Sequence, residues 1–128
     1  MNLIREFQKK IIQNQKLTFN KNKHELVVEL KKKGIINNNI LEAIKKIPRE
    51  LFVNKKFAKL SYENIPLPIA CQQTISQPYV VAFMIDCLKL KSTHKVLEIG
   101  TGTGYQTALL ALLCKHVCTI EIFRKLHT

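Results

Sequence analysis

The stretch Val96-Leu97-Glu98-Ile99-Gly100-Thr101-Gly102-Thr103-Gly104-Tyr105-Gln106 decides how this chain folds. A short apolar run ends abruptly in three alternating glycines. A strongly apolar helical pattern, Tyr105 to Lys115, resumes at once. The segment Val117 to Ile120 follows as a second short strand and closes on Glu121. Strand, glycine turn, helix, strand and acid together open a Rossmann-like unit. Glycines let the backbone turn sharply without a Cβ clash. They also let a ligand approach the N–H groups at the start of the helix. Glu121 lies 21 residues after Gly100, at the predicted tip of the second strand. A carboxylate there can accept hydrogen bonds from both hydroxyls of a ribose. The ligand implied is a nucleoside-bearing cofactor.

Outward from this unit the pattern is helical. Pro78 suits the first position of a helix, predicted over 78–90 with Val81, Met84, Ile85 and Leu88 as its buried face. The segment Leu60 to Ile75, with Pro66 and Pro68, lacks clean periodicity and reads as an ordered loop or edge strand on the surface. The run Asn37–Asn39 offers an N-cap for a helix carrying Ile40, Leu41, Ile44 and Ile47, which Pro48 ends. Arg49 to Val53 adds a short turn. Leu26, Val27 and Leu30 give another helical face, closed by Lys31–Lys33, with Gly34 at a left-handed C-terminal cap. Leu3, Ile4, Phe7, Ile11 and Ile12 mark an amphipathic helix over 2–14, and Lys16 to Lys23 reads as a polar connection. Three regions are expected: 1–23 as an N-terminal helix and connection, 24–77 as a helical region with a proline-containing loop, and 78–128 as the Rossmann-like part.

Composition narrows the function classes. The 128 residues amount to about one domain. The longest apolar run, Ala108 to Cys114, is far short of the roughly 20 residues that a membrane helix needs. The N-terminus lacks the apolar core of a secretory signal. Net charge is +12, from 21 basic and 9 acidic residues. Residues 1–64 carry +9 of it, and 18 of the basic residues are lysine. Only Arg5, Arg49 and Arg124 could offer the bidentate fork favoured in phosphate or base recognition. A lysine-rich composition with solvated helix faces explains this better than a nucleic-acid surface. Cys71, Cys87, Cys114 and Cys118 form no C-x-x-C pair, and no histidine pair has zinc-finger spacing. No metal site is expected, and the cysteines read as small buried hydrophobes in a reducing cytoplasm. His24, His94, His116 and His127 read as surface residues.

The glycine spacing selects the cofactor. Gly100-x-Gly102-x-Gly104 fails the G-x-G-x-x-G dinucleotide pattern, and no G-x-x-x-x-G-K-[ST] loop is present. Preceded by Glu98, it resembles motif I of the class I S-adenosylmethionine methyltransferases. Gln73-Thr74-Ile75-Ser76-Gln77-Pro78 stands upstream. So do Ala43-Ile44-x-x-Ile47-Pro48-Arg49-Glu50-Leu51-Phe52-Val53 and Ile65-Pro66-Leu67-Pro68-Ile69. These motifs, in this order, resemble the protein-L-isoaspartate O-methyltransferase family from about Leu26 onward.

That resemblance implies a fold and a reaction. The fold class is α/β: N-terminal helices followed by the β-loop-α-β first half of a Rossmann-like class I methyltransferase fold. The reaction is protein repair, with methyl transfer from S-adenosylmethionine to the α-carboxyl of L-isoaspartyl residues in damaged proteins. The ester then collapses unaided to a succinimide that can reopen as aspartate. The resemblance makes Ser76 the active-site serine, with Thr74 and Gln77 shaping the substrate side. Glu98, Gly100, Gly102 and Gly104 would line the methionine end of the cofactor, and Glu121 would hold the ribose. A carboxylate is already an adequate nucleophile toward a sulfonium methyl, so the task is alignment. A serine hydroxyl can orient the carboxylate by hydrogen bonding; the alternative for Ser76 is a capping or turn role before Pro78.

Two departures stand out. The family's loop usually has glycine just before Gln-Thr-Ile-Ser, whereas here Gln72 occupies that position. The chain also stops at Thr128, before the later strands of a complete domain and its adenine-contacting acidic segment. A two-strand fragment would leave sheet edges and the apolar faces of 108–113 and 117–120 uncovered. Such a chain is expected to be marginally stable and nearly inactive. A cytoplasmic protein, monomeric when complete and without membrane or nucleic-acid partners, is expected. The alternative is a non-catalytic basic helical module that keeps a vestigial cofactor loop and binds acidic partners or nucleic acid.

Overall fold

In the computed structural model a single long helix leads the chain. The structure describes residues 2–126 and the side chains of 4–126, so His127 and the Leu3 side chain lie outside the described residues. Helix α1 runs from Asn2 to Lys32 without a break. The connection expected at 16–23 is therefore helical. Lys16, Leu17, Lys21 and Lys23 favour helix, and neither glycine nor proline interrupts it. Residues 4–18 are all exposed, the apolar Ile4, Phe7, Ile11 and Ile12 included. Phe19 begins the contact with the body, its ring 6.3 Å from that of Tyr62. Gly34, at φ +96°, ends α1 as expected. The Ile35 N–H bonds the Leu30 carbonyl and the Gly34 N–H bonds the Lys31 carbonyl, as in a Schellman cap.

Helix α2, Asn38–Lys46, is capped by the Asn37 side chain, which accepts from the N–H groups of Asn39 and Ile40. Short 3-10 turns follow at Arg49–Phe52 and Lys55–Leu60. The segment read as an ordered loop or edge strand on the surface holds two short strands, and part of it is buried. Strands β1, Leu67–Pro68, and β2, Thr74–Ile75, pair antiparallel across a tight turn. Leu67, Ile75, Ser61 and Tyr62 are buried.

Helix α3 spans Pro78–Cys87 and stops short of the expected residue 90. Its buried face is Pro78, Val81, Ala82 and Ile85. Met84 and Leu88, expected in the core, are 52% and 53% exposed. Leu88 has already left the helix, and Lys89 turns the chain away at φ +48°. Met84 instead faces the cleft described below.

Strand β3, Lys95–Ile99, pairs in parallel with β4, His116–Ile120, through helix α4, Tyr105–Leu113. Leu109 and Leu110 of α4 are fully buried in the core, where α4 packs against α2. The buried face of α4 is thus covered, contrary to expectation, while Leu112 stays half exposed. On the sheet face away from Glu98, Leu97, Ile99 and Ile120 are exposed. None of the four cysteines is buried and none forms a disulfide, which corrects the reading of them as core residues. Their small size fits a core, but the topology sets them at helix ends, turns and the open sheet face. His24, His94 and His116 are exposed as expected. Among the described residues no cluster suits a metal, and no helix is long and apolar enough to cross a membrane.

Candidate functional site

The glycine turn between β3 and α4 is built on backbone conformations that only glycine adopts freely. Gly100, Gly102 and Gly104 all have positive φ, at +91°, +56° and +83°. A Cβ on Gly100 or Gly104 would meet open space, and one on Gly102 would reach only Ile69. The turn is pinned to β4, because the N–H groups of Gly100 and Thr101 both donate to the Ile120 carbonyl. Gly104 then starts α4, its carbonyl accepting from Ala108.

Two carboxylates hold this turn in different ways. Glu98 is 5% exposed and forms no ion pair among the described residues. Its oxygens accept from the Gln106 amide at 3.2 Å, from the Thr119 hydroxyl at 2.7 Å, and from the Thr107 hydroxyl. Thr119 spends its only hydrogen on Glu98, so the Thr101 hydroxyl, 2.7 Å away, must donate to Thr119. Glu98 is thereby the acceptor that ties β3, β4 and α4 together beneath the loop. Glu121 sits at the tip of β4, as the spacing predicts. Its carboxylate accepts from the Gly102 N–H and the Phe123 N–H, both at 2.8 Å.

Across the turn lies the segment that carries Ser76. Thr74, Ile75 and Ser76 share one cleft of about 190 Å³ with Ile99, Gly100, Thr101, Gly102 and Thr103. Met84 and Gln106 close its sides. Ser76 is exposed, and its hydroxyl bonds nothing among the described residues. It does not cap α3: the N-cap position is Gln77, which makes no side-chain cap bond. Asn64 substitutes from a distance, accepting from the Tyr79 N–H at 2.9 Å while its amide donates to Glu29. Beyond Gly102 and Thr103 a second cleft, about 450 Å³, runs along Phe52, Pro68, Ile69 and Lys125. The glycine turn is the wall the two clefts share. A larger cleft, about 520 Å³ between α2 and α4, shares no residue with either.

The structure thus brings Ser76, Thr74, Gly100 and Gly102 to one cleft. Glu98, Gly104 and Glu121 stand behind the loop or at its edge, and Gln77 sits half-buried at the head of α3. Sequence reasoning named no role for Arg49, Tyr105, Thr107 or Thr119. One signal could have found Arg49: in a chain with 18 lysines each of three arginines stands out, and this one is fully buried. Its Nη2 donates to the Ser76 carbonyl at 2.8 Å, and its guanidinium lies 4.7 Å from the Tyr105 ring centroid. Burial pulls its pKa below the ordinary arginine value, opposed by Tyr105. Burial pushes the Tyr105 hydroxyl up to about 12. It raises the Tyr62 hydroxyl too, reinforced by the hydrogen bond Tyr62 donates to Glu50.

Known proteins resemble this chain in sequence and fold. The profile of the family described as protein-L-isoaspartate(D-aspartate) O-methyltransferase matches residues 20–128. The chain is 56% identical over 101 residues to a protein-L-isoaspartate O-methyltransferase of Dictyoglomus turgidum, covering 79% of this chain and 46% of that protein. It is 54% identical over 99 residues to the namesake from Rhodospirillum rubrum, covering 77% and 45%. It spans about half the length of the curated relatives it matches. Among solved structures, a protein-L-isoaspartate O-methyltransferase superposes with a TM-score of 0.68 at 32% identity, over 81% of this chain and 35% of that one. A Plasmodium falciparum structure described as a protein-L-isoaspartate O-methyltransferase in complex with S-adenosyl-L-homocysteine has the same TM-score at 24% identity, covering 80% and 50%, and speaks for the fold. From its glycine turn to its Gln-Thr-Ile-Ser segment, the chain belongs to the protein-L-isoaspartate O-methyltransferase family.

Proposed function

We propose that these residues serve methyl transfer from S-adenosylmethionine to the α-carboxyl of L-isoaspartyl residues in damaged proteins. The observation that carries the reading is the shared cleft, in which the Ser76 turn faces the Gly100–Thr103 loop. Open space at the positive-φ glycines fits close approach of a ligand to the backbone. When bound, S-adenosylmethionine supplies a methyl on a positively charged sulfur, which a carboxylate oxygen takes without help from a base. Gly100 and Gly102 admit the cofactor to the backbone, and Gly104 turns the chain into α4. Glu98 supports them from beneath through Thr107 and Thr119. Glu121, at the strand tip, is placed to take ribose hydroxyls. Ser76 offers a free hydroxyl to orient the substrate carboxylate, with Thr74 beside it and Gln77 fixing the turn into α3. Four free thiols, two of them exposed, suit the reducing cytoplasm we infer for it.

The test is calorimetry with S-adenosyl-L-homocysteine together with a methyl-transfer assay on an isoaspartyl peptide. Ser76→Ala should sharply lower methyl transfer while cofactor affinity stays nearly constant. Equal turnover in that variant removes Ser76 from the mechanism. Absence of cofactor heat in the parent chain overturns the reading.

A further inference from the structure

Arg49 is the least explained group in the molecule. It is fully buried, yet no carboxylate lies within 4 Å of it among the described residues. Its Nε and Nη1 have no hydrogen-bond partner, and neither has the buried Tyr105 hydroxyl beside it. A buried charge without a counter-ion is costly. An apolar residue of similar size would be the cheaper occupant of a purely structural site.

What Arg49 touches gives its use. Nη2 donates to the carbonyl of Ser76, the residue whose free hydroxyl lines the cleft. The guanidinium plane meets the ring of Tyr105, the first residue of α4 directly after the glycine turn. Tyr105 in turn meets Phe52, from the same 3-10 turn as Arg49, edge-on at 5.5 Å. One side chain therefore couples the two walls of the cleft, the Ser76 turn on one side and the head of α4 on the other. Pro48, at φ −76°, sets the turn that aims it inward.

We propose that Arg49 is a positioning residue: it fixes the Ser76 turn against the head of α4 and places an uncompensated positive charge behind the cleft that favours an anionic substrate group. The substrate half of this inference rests on the function proposed above. A charge-assisted bond to the carbonyl holds the peptide plane that carries Ser76 into Gln77. A desolvated cation behind a cleft raises its preference for anions over neutral groups.

The test uses the full chain with the Ser76 carbonyl labelled with carbon-13, as parent, Arg49→Gln and Arg49→Lys. In Arg49→Gln the Ser76 carbonyl signal should move as the charged donor is lost. Affinity for S-adenosyl-L-homocysteine should stay within about threefold, while affinity for an isoaspartyl peptide should fall about tenfold or more. Arg49→Lys should recover part of the peptide affinity, because charge returns without the fork. A folded Arg49→Gln with an unmoved carbonyl, or with unchanged peptide affinity, overturns the proposal. If that variant does not fold, the parent decides: a pinned guanidinium gives separate, slowly exchanging Nη signals, and one averaged signal refutes the pinning. A parent chain that binds cofactor but no peptide counts against the proposed function; the carbonyl and guanidinium signals then judge Arg49 alone.

Discussion

Gln72 occupies a backbone conformation that side chains other than glycine adopt at a cost. Its φ is +55°, and its neighbour Cys71 lies at +59°. A residue with a Cβ in this left-handed region gives up roughly 1–2 kcal/mol. Gln72 is exposed and makes no hydrogen bond among the described residues, so its side chain returns nothing that offsets the strain. Gln72→Gly should release the strain but loosen the unfolded chain, which takes back roughly 0.5–1 kcal/mol. The net gain expected is about 0.5–1 kcal/mol. For a chain of 128 residues that is about 2–4 °C in Tm. The control is Gln73→Gly, one residue on, where φ is an ordinary −97°. There no strain is released, the entropic cost is joined by loss of the Gln73 amide's bond to the Cys71 carbonyl, and the substitution should lower Tm. Thermal unfolding followed by circular dichroism reads both. A Tm for Gln72→Gly equal to or below that of the parent would refute the strain argument, most clearly if both variants fell together. The family's usual glycine at this position then has its reason in the conformation of the turn. Here that turn leads directly into Thr74, Ile75 and Ser76.

Two further outcomes follow from the buried polar groups. The Tyr105 hydroxyl, pushed up to about 12 by burial against the pull of Arg49, resists ionisation in the folded chain. The fold therefore keeps its full stability below the ordinary tyrosine value near 10 and loses about 3 kcal/mol as pH rises through the folded value. Urea unfolding of parent and Tyr105→Phe at about pH 9 and about pH 12 should show the parent losing more; equal losses would place the titration elsewhere. Because the Tyr105 hydroxyl has no partner, Tyr105→Phe should be as stable as the parent, or more so, near neutral pH. The two glutamates should separate in the same way. Glu98→Gln turns an amide toward donors and should lose roughly 1–3 kcal/mol in urea unfolding. Glu121→Gln keeps one acceptor for the Gly102 and Phe123 N–H groups and should lose less stability, while calorimetry shows the larger drop in S-adenosyl-L-homocysteine affinity. The reverse ranking would exchange their roles.

The unit from Val96 to Glu121 was legible because its signals are local. A β-branched run, alternating glycines and an apolar helix each specify backbone within a few residues, and the strands, turn and helix form where those signals place them. Gly34 and Asn37 were legible for the same reason, since caps are contacts within one turn. The misreadings share a different origin. Residues 16–23 show no apolar period because that part of α1 meets the body only near Phe19 and Lys23, and a polar stretch without periodicity reads as a break. Met84 carries a core residue's chemistry, but the Ser76 turn opens a cleft in front of it. Asn64 caps a helix that begins 14 residues later in the chain, and no window-sized pattern contains such a contact.

The same distinction divides the candidate site. Its glycines announce themselves by spacing, since each satisfies a demand made at its own φ. Its charged groups do not, because a carboxylate's role depends on how many donors converge on it. Glu98 precedes the glycines in the motif and invites assignment as a ligand. Yet Thr107 and Thr119, nine and 21 residues on, turn its oxygens into the joint between two strands and a helix. Glu121 accepts from the backbone N–H groups of Gly102 and Phe123 and stands at the tip of β4, where a ribose could compete for them. Arg49 completes the pattern from the other side, a cation with one carbonyl where three acceptors would fit. A carboxylate saturated by its neighbours supports structure, and a buried cation left partly unsatisfied retains the capacity to act on what enters the cleft.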